Sequence, residues 1–411
     1  MTQDLTFKWQ GAARLFAGDA PIARGHLSER RGFRPITCHP SAVALSELAD
    51  AMLAGDSFCV ADRAMPKGVT VAPPDFLTLT GGSSGSPKTI QRAQAAWIAS
   101  FEVNAQQFNL TPKDSLAVLG KLSHSLTLYG VIEALYLGLD TFVLADYHPA
   151  QQCDMLRQRA ISMLYATPTQ LRLLCKAAQG RPLPALRLIL CGGGRLDSPT
   201  TNAIRSLCPN AALHQFYGAA ETSFITMTDA STPQGAQGHP YPGVSLRILD
   251  DKGGETTNIG EVWVKSPYLF EGYISGYSPH TRWQDGYLSV GEMGRLDAEG
   301  ALHLTGRKSR MINIADQIIY PEAIENFLNA RPNLPTCAIL PIADTLRGQR
   351  LAAVLEGAQD ATLATQVRQT CRGKFGALAT PAQVLFIDQM PLLASGKIDL
   401  PSLGHWVAAQ Q

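Results

Sequence analysis

Residues 80–88 read Thr-Gly-Gly-Ser-Ser-Gly-Ser-Pro-Lys and follow directly on the short apolar run 76–79. Three glycines let the backbone approach an anion closely, while hydroxyls and backbone N–H groups can surround phosphate oxygens. The segment lacks the Gly-Lys-Ser/Thr ending of a Walker A loop, because Ser86 and Pro87 precede Lys88. We therefore predict a phosphate-binding loop after a strand. The alternative for a Gly/Ser-rich segment is a flexible surface linker.

Beyond this segment, short apolar runs alternate with helix-length segments. The runs read as buried strands and lie at residues 115–119, 141–145, 161–165, 186–191 and 213–217. Helices are expected between them, for example at 168–179 and 199–207. This alternation predicts an α/β domain with a largely parallel sheet.

The pattern changes after residue 240. A strand at 260–266 and a hairpin of 294–297 with 301–305 indicate a smaller β-rich region. From Ser309 onward a compact α+β unit is expected, with strands at 317–319, 337–341, 351–355 and 383–387 and helices at 321–329 and 363–371. The predicted domains are accordingly 1–308 and 309–411.

Three further motifs follow the glycine-rich segment along the chain. Residues 216–222 read Phe-Tyr-Gly-Ala-Ala-Glu-Thr, after a predicted strand. Gly291-Glu292 precedes a hairpin that ends in Gly306-Arg307. Residues 391–399 read Pro-Leu-Leu-Ala-Ser-Gly-Lys-Ile-Asp, near the C-terminus. Each alone is compatible with an ordinary loop, but four in this order and spacing point to a shared function.

Together these motifs resemble the adenylate-forming superfamily, which includes acyl-CoA and aryl-CoA synthetases, acyl-AMP ligases and adenylation domains. The resemblance covers roughly residues 76–400. It implies a large α/β N-terminal domain with a small β-rich subdomain, an abbreviated N-terminal subdomain, and a small mobile C-terminal lid. It also implies an ATP-dependent enzyme that activates a carboxylic acid as acyl-AMP, with ATP and Mg²⁺ as cofactors.

The resemblance assigns roles to particular residues of this chain. Those expected to hold the phosphates are Thr80, Gly82, Ser83, Ser84, Gly85 and Lys88. Those expected to hold adenine, ribose and magnesium are Gly192, Gly193, Gly194, Tyr217, Gly218, Glu221, Thr222, Glu292 and Arg307. Glu221 is the expected magnesium ligand, Tyr217 stacks on adenine, and Glu292 and Arg307 hold the ribose. Lys397 is the expected catalytic lysine.

The chemistry of the reaction independently favours these residue types. A carboxylate that attacks a triphosphate is repelled by it, so cations must neutralise the charge and hold the reactants in line. Magnesium on Glu221 and donors from residues 80–88 would act on the pyrophosphate, and Lys397 would bridge the carboxylate and the α-phosphate. The alternative for Lys397 is a solvated loop lysine.

Four positions depart from the family pattern. Glu292 stands where an Asp is usual, Ala220 replaces a threonine before the magnesium glutamate, and Ser309 occupies the hinge. Asp316 replaces a glycine that lines the thiol tunnel in relatives. A carboxylate at that point argues against ordinary CoA thioester formation, although not against adenylation.

His124 occupies the place where relatives carry a histidine or aromatic residue beside the acyl pocket; a structural histidine is the alternative. Amino-acid-activating relatives carry an Asp just after this point, whereas this chain has Ser125 and Leu126. A buried ammonium without a partner is costly. The expected substrate is therefore an aryl, hydroxyaryl or fatty acid without an α-amino group.

The thiol acceptor is expected to be phosphopantetheine, on a carrier protein (slightly favoured) or in CoA. The segment between residues 331 and 374 contains six basic residues but only three acidic ones. This excess of positive charge suits an acidic carrier protein or the phosphates of CoA. The basic residues are Arg331, Arg347, Arg350, Arg368, Arg372 and Lys374. The alternatives are a solvated basic face, an amine or hydroxyl acceptor, or a degenerate nucleotide-binding protein.

Composition excludes several other classes. The 411 residues carry 35 Lys+Arg and 34 Asp+Glu, and this balance argues against nucleic acid as a partner. The eight cysteines form no CxxC pair, which disfavours a zinc site, and no stretch of about 18 apolar residues predicts a membrane span. Scattered cysteines, expected to be reduced, and the lack of a signal-like N-terminus predict a cytoplasmic location.

Overall fold

The computed structural model describes residues 5–24, 32–62, 65, 68–80, 88–315, 317–331, 334–345, 347–393 and 398–410. The first part of the chain forms short strands and two long helices. They are β1 (Leu15–Ala17), β2 (Ala20–Ile22), β3 (Phe33–Thr37), α1 (Ser41–Ala54), β4 (Ser57–Ala61), β5 (Asp75–Leu79), β6 (Thr89–Ala93) and α2 (Gln94–Gln107).

The middle of the chain alternates strands and helices, as the sequence predicts. Its elements are β7 (Ser115–Val118), α3 (Ser125–Leu137), β8 (Asp140–Val143), α4 (Pro149–Gln158), β9 (Met163–Ala166), α5 (Pro168–Ala177), β10 (Leu188–Cys191), α6 (Ser198–Leu207), β11 (Ala212–Ala219) and β12 (Ser223–Met227). The five predicted strands are confirmed, with ends shifted by at most two residues. The expectation that all five are buried is wrong for β11, whose residues are at most half-buried. Helices α4 and α5 begin at capping boxes followed by proline, which satisfies free N–H groups at their first turns.

The last part of the chain is rich in strands. It comprises β13 (His239–Pro240), β14 (Ser245–Leu249), β15 (Gly260–Lys265), β16 (Gly272–Ser275), β17 (Arg282–Gln284), β18 (Tyr287–Ser289), β19 (Glu292–Leu296), β20 (Leu302–Arg307), β21 (Ile312–Ile314), β22 (Gln317–Ile319), α7 (Pro321–Asn329), β23 (Cys337–Asp344), β24 (Gly348–Glu356), α8 (Ala361–Phe375), β25 (Gln383–Ile387) and α9 (Leu400–Ala408). The predicted hairpin is β19 with β20, and the predicted α+β unit is confirmed from β21 to β25.

Three larger sheets organise the chain up to residue 307. A nine-stranded sheet has the order β13-β12-β11-β10-β9-β7-β8-β1-β2, and its strands from β11 to β1 are mutually parallel. A five-stranded sheet has the order β16-β6-β5-β4-β3. A third sheet has the order β17-β18-β15-β19-β20, with β14 also paired to β15. A three-stranded sheet, β23-β24-β25, forms the centre of the C-terminal unit.

The central sheet is buried on both faces because its side chains alternate between two cores. Along β10, Leu188 and Leu190 belong to one cluster of buried residues, whereas Ile189 and Cys191 belong to the other. The first cluster also contains residues of α1, α2 and α3, and the second contains residues of α4, α5 and α6. This arrangement confirms the predicted α/β fold and places the carboxyl ends of the parallel strands at one edge. Within the described residues, no helix has the length and apolar character needed to cross a bilayer.

A hydrogen-bonded carboxyl group lies inside the first core. Glu133 on α3 is almost fully buried. Its Oε1 accepts from Asn104 Nδ2 at 2.6 Å, and its Oε2 accepts from the Tyr165 hydroxyl at 2.8 Å. Burial raises the pKa of Glu133 to about 7, although these hydrogen bonds oppose the shift. The carboxyl group is therefore protonated in the folded protein over a range in which it is ionised in the unfolded chain.

Stability is consequently expected to fall as pH rises from about 4.5 to about 7, because the folded state then binds more protons than the unfolded state at this group. A Glu133→Gln variant stays neutral and is expected to lose this part of the pH dependence, up to about 3 kcal/mol. Urea unfolding at pH 5 and pH 8 measures the difference. Glu102→Gln, at an exposed position on α2, is the control; identical pH dependence in Glu133→Gln and wild type would contradict the prediction.

Candidate functional site

The two ends of the glycine-rich segment are held together by a hairpin. Strands β5 and β6 pair antiparallel, with Leu79 opposite Thr89. The Thr80 N–H donates to the Lys88 carbonyl at 2.9 Å, and the Lys88 N–H donates to Thr80 Oγ1 at 3.0 Å. The predicted phosphate ligands Gly82, Ser83, Ser84 and Gly85 lie outside the described residues. The described ends show that this segment connects two paired strands, as a phosphate-binding loop would.

The segment around Glu221 is a tight turn between β11 and β12. The Ala219 N–H donates to Thr222 Oγ1 at 2.9 Å, and the Thr222 N–H donates back to the Ala219 carbonyl at 3.2 Å. Gly218 is required here, because a Cβ at this position would lie 1.8 Å from the Ser223 carbonyl oxygen. Thr222 is fully buried and its hydroxyl is engaged in the turn. Its predicted contact with the nucleotide stays a prediction.

The Glu221 carboxylate is held by a tyrosine that the sequence analysis did not single out. The Tyr273 hydroxyl donates to Glu221 Oε1 at 2.7 Å and lies 2.8 Å from Thr281 Oγ1. Burial, followed by the charge of Glu221, raises the pKa of Tyr273 far above its ordinary value, so this hydroxyl remains a donor. Lys88 Nζ lies 5.6 Å from the centroid of the same ring. Tyr273 therefore brings the predicted phosphate lysine and the predicted magnesium carboxylate to one place.

A second residue missed by the sequence analysis lies behind this turn. The guanidinium of Arg92, on β6, is fully buried and donates to the carbonyls of Ala220 and Tyr268. Burial lowers the pKa of Arg92 to about 10, while the charge of Glu221 opposes the shift. Arg92 thus fixes the backbone next to Glu221. A charged residue on the inward side of a strand is the sequence signal that would have indicated it.

The predicted ribose ligands are neighbours across the β19–β20 hairpin. Glu292 is paired with Arg307 in the register, and Arg307 Nε lies 3.0 Å from Glu292 Oε1. The buried hydroxyl of Tyr217 has no hydrogen-bond partner of good geometry among the described residues. Burial and the nearby Glu292 charge raise the pKa of Tyr217 well above its ordinary value. Tyr217, on β11, therefore lies close to both residues of the hairpin, so that the predicted adenine-stacking residue and the two predicted ribose residues form one cluster.

Gly192, Gly193 and Gly194 follow β10 at the carboxyl edge of the parallel sheet. A Cβ at Gly192 would lie 2.1 Å from the ring of Phe216, so only glycine fits beside that side chain. Gly193 has φ +84°, in the left-handed region. Since β10 pairs parallel with β11, this glycine segment emerges beside the strand that carries Tyr217. Its predicted contact with adenine remains a prediction that this position favours.

His124 immediately precedes α3. The adjacent Ser125 Oγ donates to the Leu79 carbonyl at 3.5 Å, which joins the start of this helix to the strand before the glycine-rich segment. Burial lowers the pKa of His124, while the charge of Asp62 opposes that shift. A neutral imidazole fits both predicted roles of His124, as a residue that lines the acyl pocket and as a structural histidine.

Lys397 and Asp316 both lie outside the described residues. The chain on either side of Lys397 is paired: Leu392 forms an antiparallel bridge with Ile398, and the Asp399 N–H donates to the Pro391 carbonyl at 2.8 Å. At the predicted domain boundary, Arg307 is the last residue of β20 and Ser309 follows within a short 3₁₀ turn. The Arg307 N–H donates to Glu322 Oε1 at 3.4 Å, which joins this boundary to α7.

The donor set suits a magnesium–nucleotide group. Glu221 Oε1 is occupied by Tyr273, and Oε2 has no hydrogen-bond partner among the described residues. Carboxylate oxygens are preferred Mg²⁺ ligands, and Lys88 supplies a cation for phosphate oxygens nearby. Glu221 would hold Mg²⁺, which when bound neutralises charge on the phosphates. The Tyr217 side chain, with its buried hydroxyl, and the Glu292–Arg307 pair would hold the nucleoside.

This combination of fold and site is that of an adenylate-forming enzyme. The chain belongs to the family of AMP-binding enzymes: the family model described as AMP-binding enzyme matches residues 35–274, and that of the AMP-binding enzyme C-terminal domain matches residues 323–397. The resemblance inferred from the motifs is thereby confirmed. The predicted cofactors, ATP and Mg²⁺, are those of this family and are also confirmed.

Similar proteins carry related names. The uncharacterised acyl–CoA ligase YhfT of Bacillus subtilis is 31% identical over 340 residues, which are 81% of this chain and 69% of the relative. The indoleacetate–CoA ligase of Aromatoleum aromaticum is 27% identical over 360 residues, covering 84% and 70% of the two chains. The predicted enzyme class, an AMP-forming acid–thiol ligase, is confirmed by these relatives.

A solved structure of o-succinylbenzoate CoA synthetase (MenE) from Bacillus subtilis, in complex with the intermediate OSB-AMP, has the same fold. Its TM-score is 0.81 at 20% identity, and the similarity covers 95% of each chain. This likeness confirms the predicted fold class, a large α/β domain followed by a small C-terminal α+β unit.

Proposed function

We propose that this enzyme activates a carboxylic acid without an α-amino group and transfers the acyl group to the thiol of CoA. An aryl, hydroxyaryl or fatty acid is the substrate class. The observation that carries the proposal is the Lys88–Tyr273–Glu221 arrangement, which places a cation and a magnesium-binding carboxylate around one tyrosine. The indoleacetate–CoA ligase relative supports an aryl acid, and VraA of Staphylococcus aureus, 29% identical over 324 residues and named a putative long-chain fatty acid–CoA ligase, supports a fatty acid.

The first half-reaction joins the acid to AMP. A carboxylate oxygen attacks the α-phosphorus of ATP, the bond to the β-phosphate oxygen breaks, and pyrophosphate leaves. In this proposal Lys88 and the hydroxyls of residues 80–86 neutralise charge on the departing phosphates, and Lys397 neutralises charge on the carboxylate and the α-phosphate. Glu292 and Arg307 hold the ribose so that the two reactants stay in line.

The second half-reaction transfers the acyl group. The thiolate attacks the carbonyl carbon of the acyl-adenylate, and AMP leaves with the bonding electron pair. We propose that residues 309–411 rotate about Ser309 between the two steps as a lid on residues 1–308. That rotation withdraws Lys397 and presents another face of the C-terminal unit to the site.

The absence of an acidic residue after His124 supports an acid without an α-amino group. Helix α3 starts with Ser125 and Leu126, neither of which pairs an ammonium. An ammonium buried beside these two residues would gain no charged partner from them.

ATP–pyrophosphate exchange with a panel of acids tests the substrate class. We expect exchange with aryl or fatty acids and little exchange with the corresponding α-amino acids, for example with phenylpropanoate but not with phenylalanine. Strongest exchange with an amino acid would contradict the proposal.

Four of the six basic residues between positions 331 and 374 line one cavity of about 200 Å³ in the C-terminal unit. Arg350 is paired with Asp344, and Arg368 donates to the carbonyls of Pro381 and Ala382. Arg372 makes no ion pair with any described residue and is exposed. The cavity therefore offers an available guanidinium, which supports CoA phosphates as its occupant; the alternative acceptor is a carrier protein. The cavity is lined by Arg347, Arg350, Arg368 and Arg372.

Replacing Arg372 with alanine is expected to raise the KM for CoA about tenfold, equivalent to about 1.4 kcal/mol, without changing pyrophosphate exchange. Pantetheine carries the same thiol arm without phosphates, and its KM should not change. Lys374→Ala, an exposed base on the same helix outside the cavity, is the matched control. Equal effects on CoA and pantetheine would contradict phosphate binding, and acylation of a holo-carrier protein without CoA turnover would favour the other acceptor.

A cytoplasmic location is part of the proposal. All eight cysteines are unpaired in the structure, which is consistent with a reducing compartment.

A further inference from the structure

Three metal-ligating side chains meet at one edge of the five-stranded sheet. Cys38 and His39 directly follow β3, and Asp62 directly follows β4. The two strands are parallel neighbours with Thr37 opposite Ala61, and the Cys38 N–H donates to the Ala61 carbonyl at 2.9 Å. Their carboxyl ends therefore lie side by side, which brings residues more than twenty positions apart into one cluster.

The donor atoms of this cluster are already close. The Cys38 sulfur, a ring nitrogen of His39 and a carboxylate oxygen of Asp62 all lie within 4.8 Å of one another. Cys38 Sγ donates to Asp62 Oδ1 at 2.9 Å. Ligand atoms of a tetrahedral zinc ion are roughly 3.2–3.8 Å apart, given the usual bond lengths. The side chains of His39 and Asp62 are 44% and 45% exposed, so small rotations can close the remaining gap.

We propose that Cys38, His39 and Asp62 bind a zinc ion. A thiolate and an imidazole favour Zn²⁺ over Mg²⁺ and Ca²⁺, which prefer oxygen ligands. Three protein ligands leave a fourth position for water or another exchangeable ligand, as in zinc sites that are not purely structural. When the metal binds, the thiol proton of Cys38 is released to solvent and the sulfur–metal bond forms.

The surroundings of the cluster are suited to this role. Ser123 Oγ donates to Asp62 Oδ1 at 2.7 Å and so orients the carboxylate, as outer-sphere partners of metal ligands commonly do. Lys121 Nζ lies 4.0 Å from the same oxygen, and its side chain is half-exposed, so it can move into solvent when the metal arrives. The site is independent of the proposed ligase activity.

Cobalt titration of the untagged, metal-free 411-residue chain tests this site. Co²⁺ replaces Zn²⁺ in such sites, and a cobalt–thiolate bond produces a charge-transfer absorption in the near ultraviolet. We expect one equivalent of Co²⁺ to bind with this absorption, and Zn²⁺ to abolish it by displacement. Cys38→Ser should remove the absorption, whereas Cys175→Ser, at a half-buried cysteine elsewhere, should retain it.

His39→Ala provides a variant at a partly exposed position, where folding should be unaffected. Its apparent Kd for Zn²⁺ is expected to rise at least about 100-fold, since loss of an outer-sphere partner alone typically costs 10- to 100-fold. Circular dichroism confirms that each variant is folded. Absence of a thiolate band in the wild type, or its persistence in Cys38→Ser, would overturn the proposal, and so would an unchanged Kd in His39→Ala.

Discussion

Lys397→Ala is expected to lower the rate of ATP–pyrophosphate exchange by about 10²- to 10³-fold. Loss of one donor that acts on transition-state charge typically costs roughly 3–4 kcal/mol. Thioester formation from preformed acyl-AMP should be largely preserved, because Lys397 is proposed to have left the site at that stage. Two assays on the same preparation measure this: exchange of labelled pyrophosphate, and release of AMP from synthetic acyl-AMP with CoA.

The control for this variant is Lys374→Ala, which removes an exposed lysine of the same C-terminal unit. It should leave both half-reactions at wild-type rates. If Lys397→Ala loses both half-reactions equally, the separation of roles is wrong, and with it the proposed rotation about Ser309.

Glu221→Gln is expected to reduce adenylation at least about 100-fold, since the amide removes the charge proposed to hold Mg²⁺ while keeping the size of the side chain. Raising the Mg²⁺ concentration should restore part of the activity. Tyr273→Phe removes the hydrogen bond to Glu221 Oε1 together with the contact to Thr281 Oγ1, and is expected to cost about tenfold, again with a higher Mg²⁺ requirement. The measurement is pyrophosphate exchange as a function of Mg²⁺ concentration.

The matched control is Glu271→Gln. Glu271 is an exposed carboxylate whose negative charge, like that of Glu221, raises the pKa of Arg92. This variant should keep the Mg²⁺ dependence of the wild type. A Glu221→Gln enzyme with unchanged Mg²⁺ dependence and reduced activity would assign Glu221 to positioning of the turn rather than to the metal.

Much of the candidate site was predictable because its parts are local in the chain. Thr80 and Lys88 belong to one loop, Tyr217 and Glu221 to one turn, and Glu292 and Arg307 to the two strands of one hairpin. Each motif can therefore be recognised from the spacing of residues close together in the chain. The alternation of strands and helices indicates the central parallel sheet next to which these motifs lie. Strands β9 and β10 were predictable for a similar reason: each is a short, continuously apolar run.

Other residues became visible only through contacts between distant segments. Tyr273 reaches Glu221 across 52 residues, and Arg92 reaches the Ala220 carbonyl across 128. The strand β1 is only three residues long, yet it pairs with β8 far along the chain. A single tyrosine or a three-residue strand has no sequence pattern from which its role could be predicted. The positions of both depend on which strands become neighbours in the fold.

The amino-acid sequence by itself determined the family, the α/β class and the order of the nucleotide-binding motifs, because these depend on local residue types and spacing. Tertiary structure alone decided which side chains surround Glu221, that four arginines of the C-terminal unit line one cavity, and that Cys38 and His39 lie next to Asp62. Lack of a CxxC pair disfavoured zinc at the level of sequence. Parallel pairing of β3 with β4 brings together ligands that no short spacing connects, because the pairing aligns their carboxyl ends.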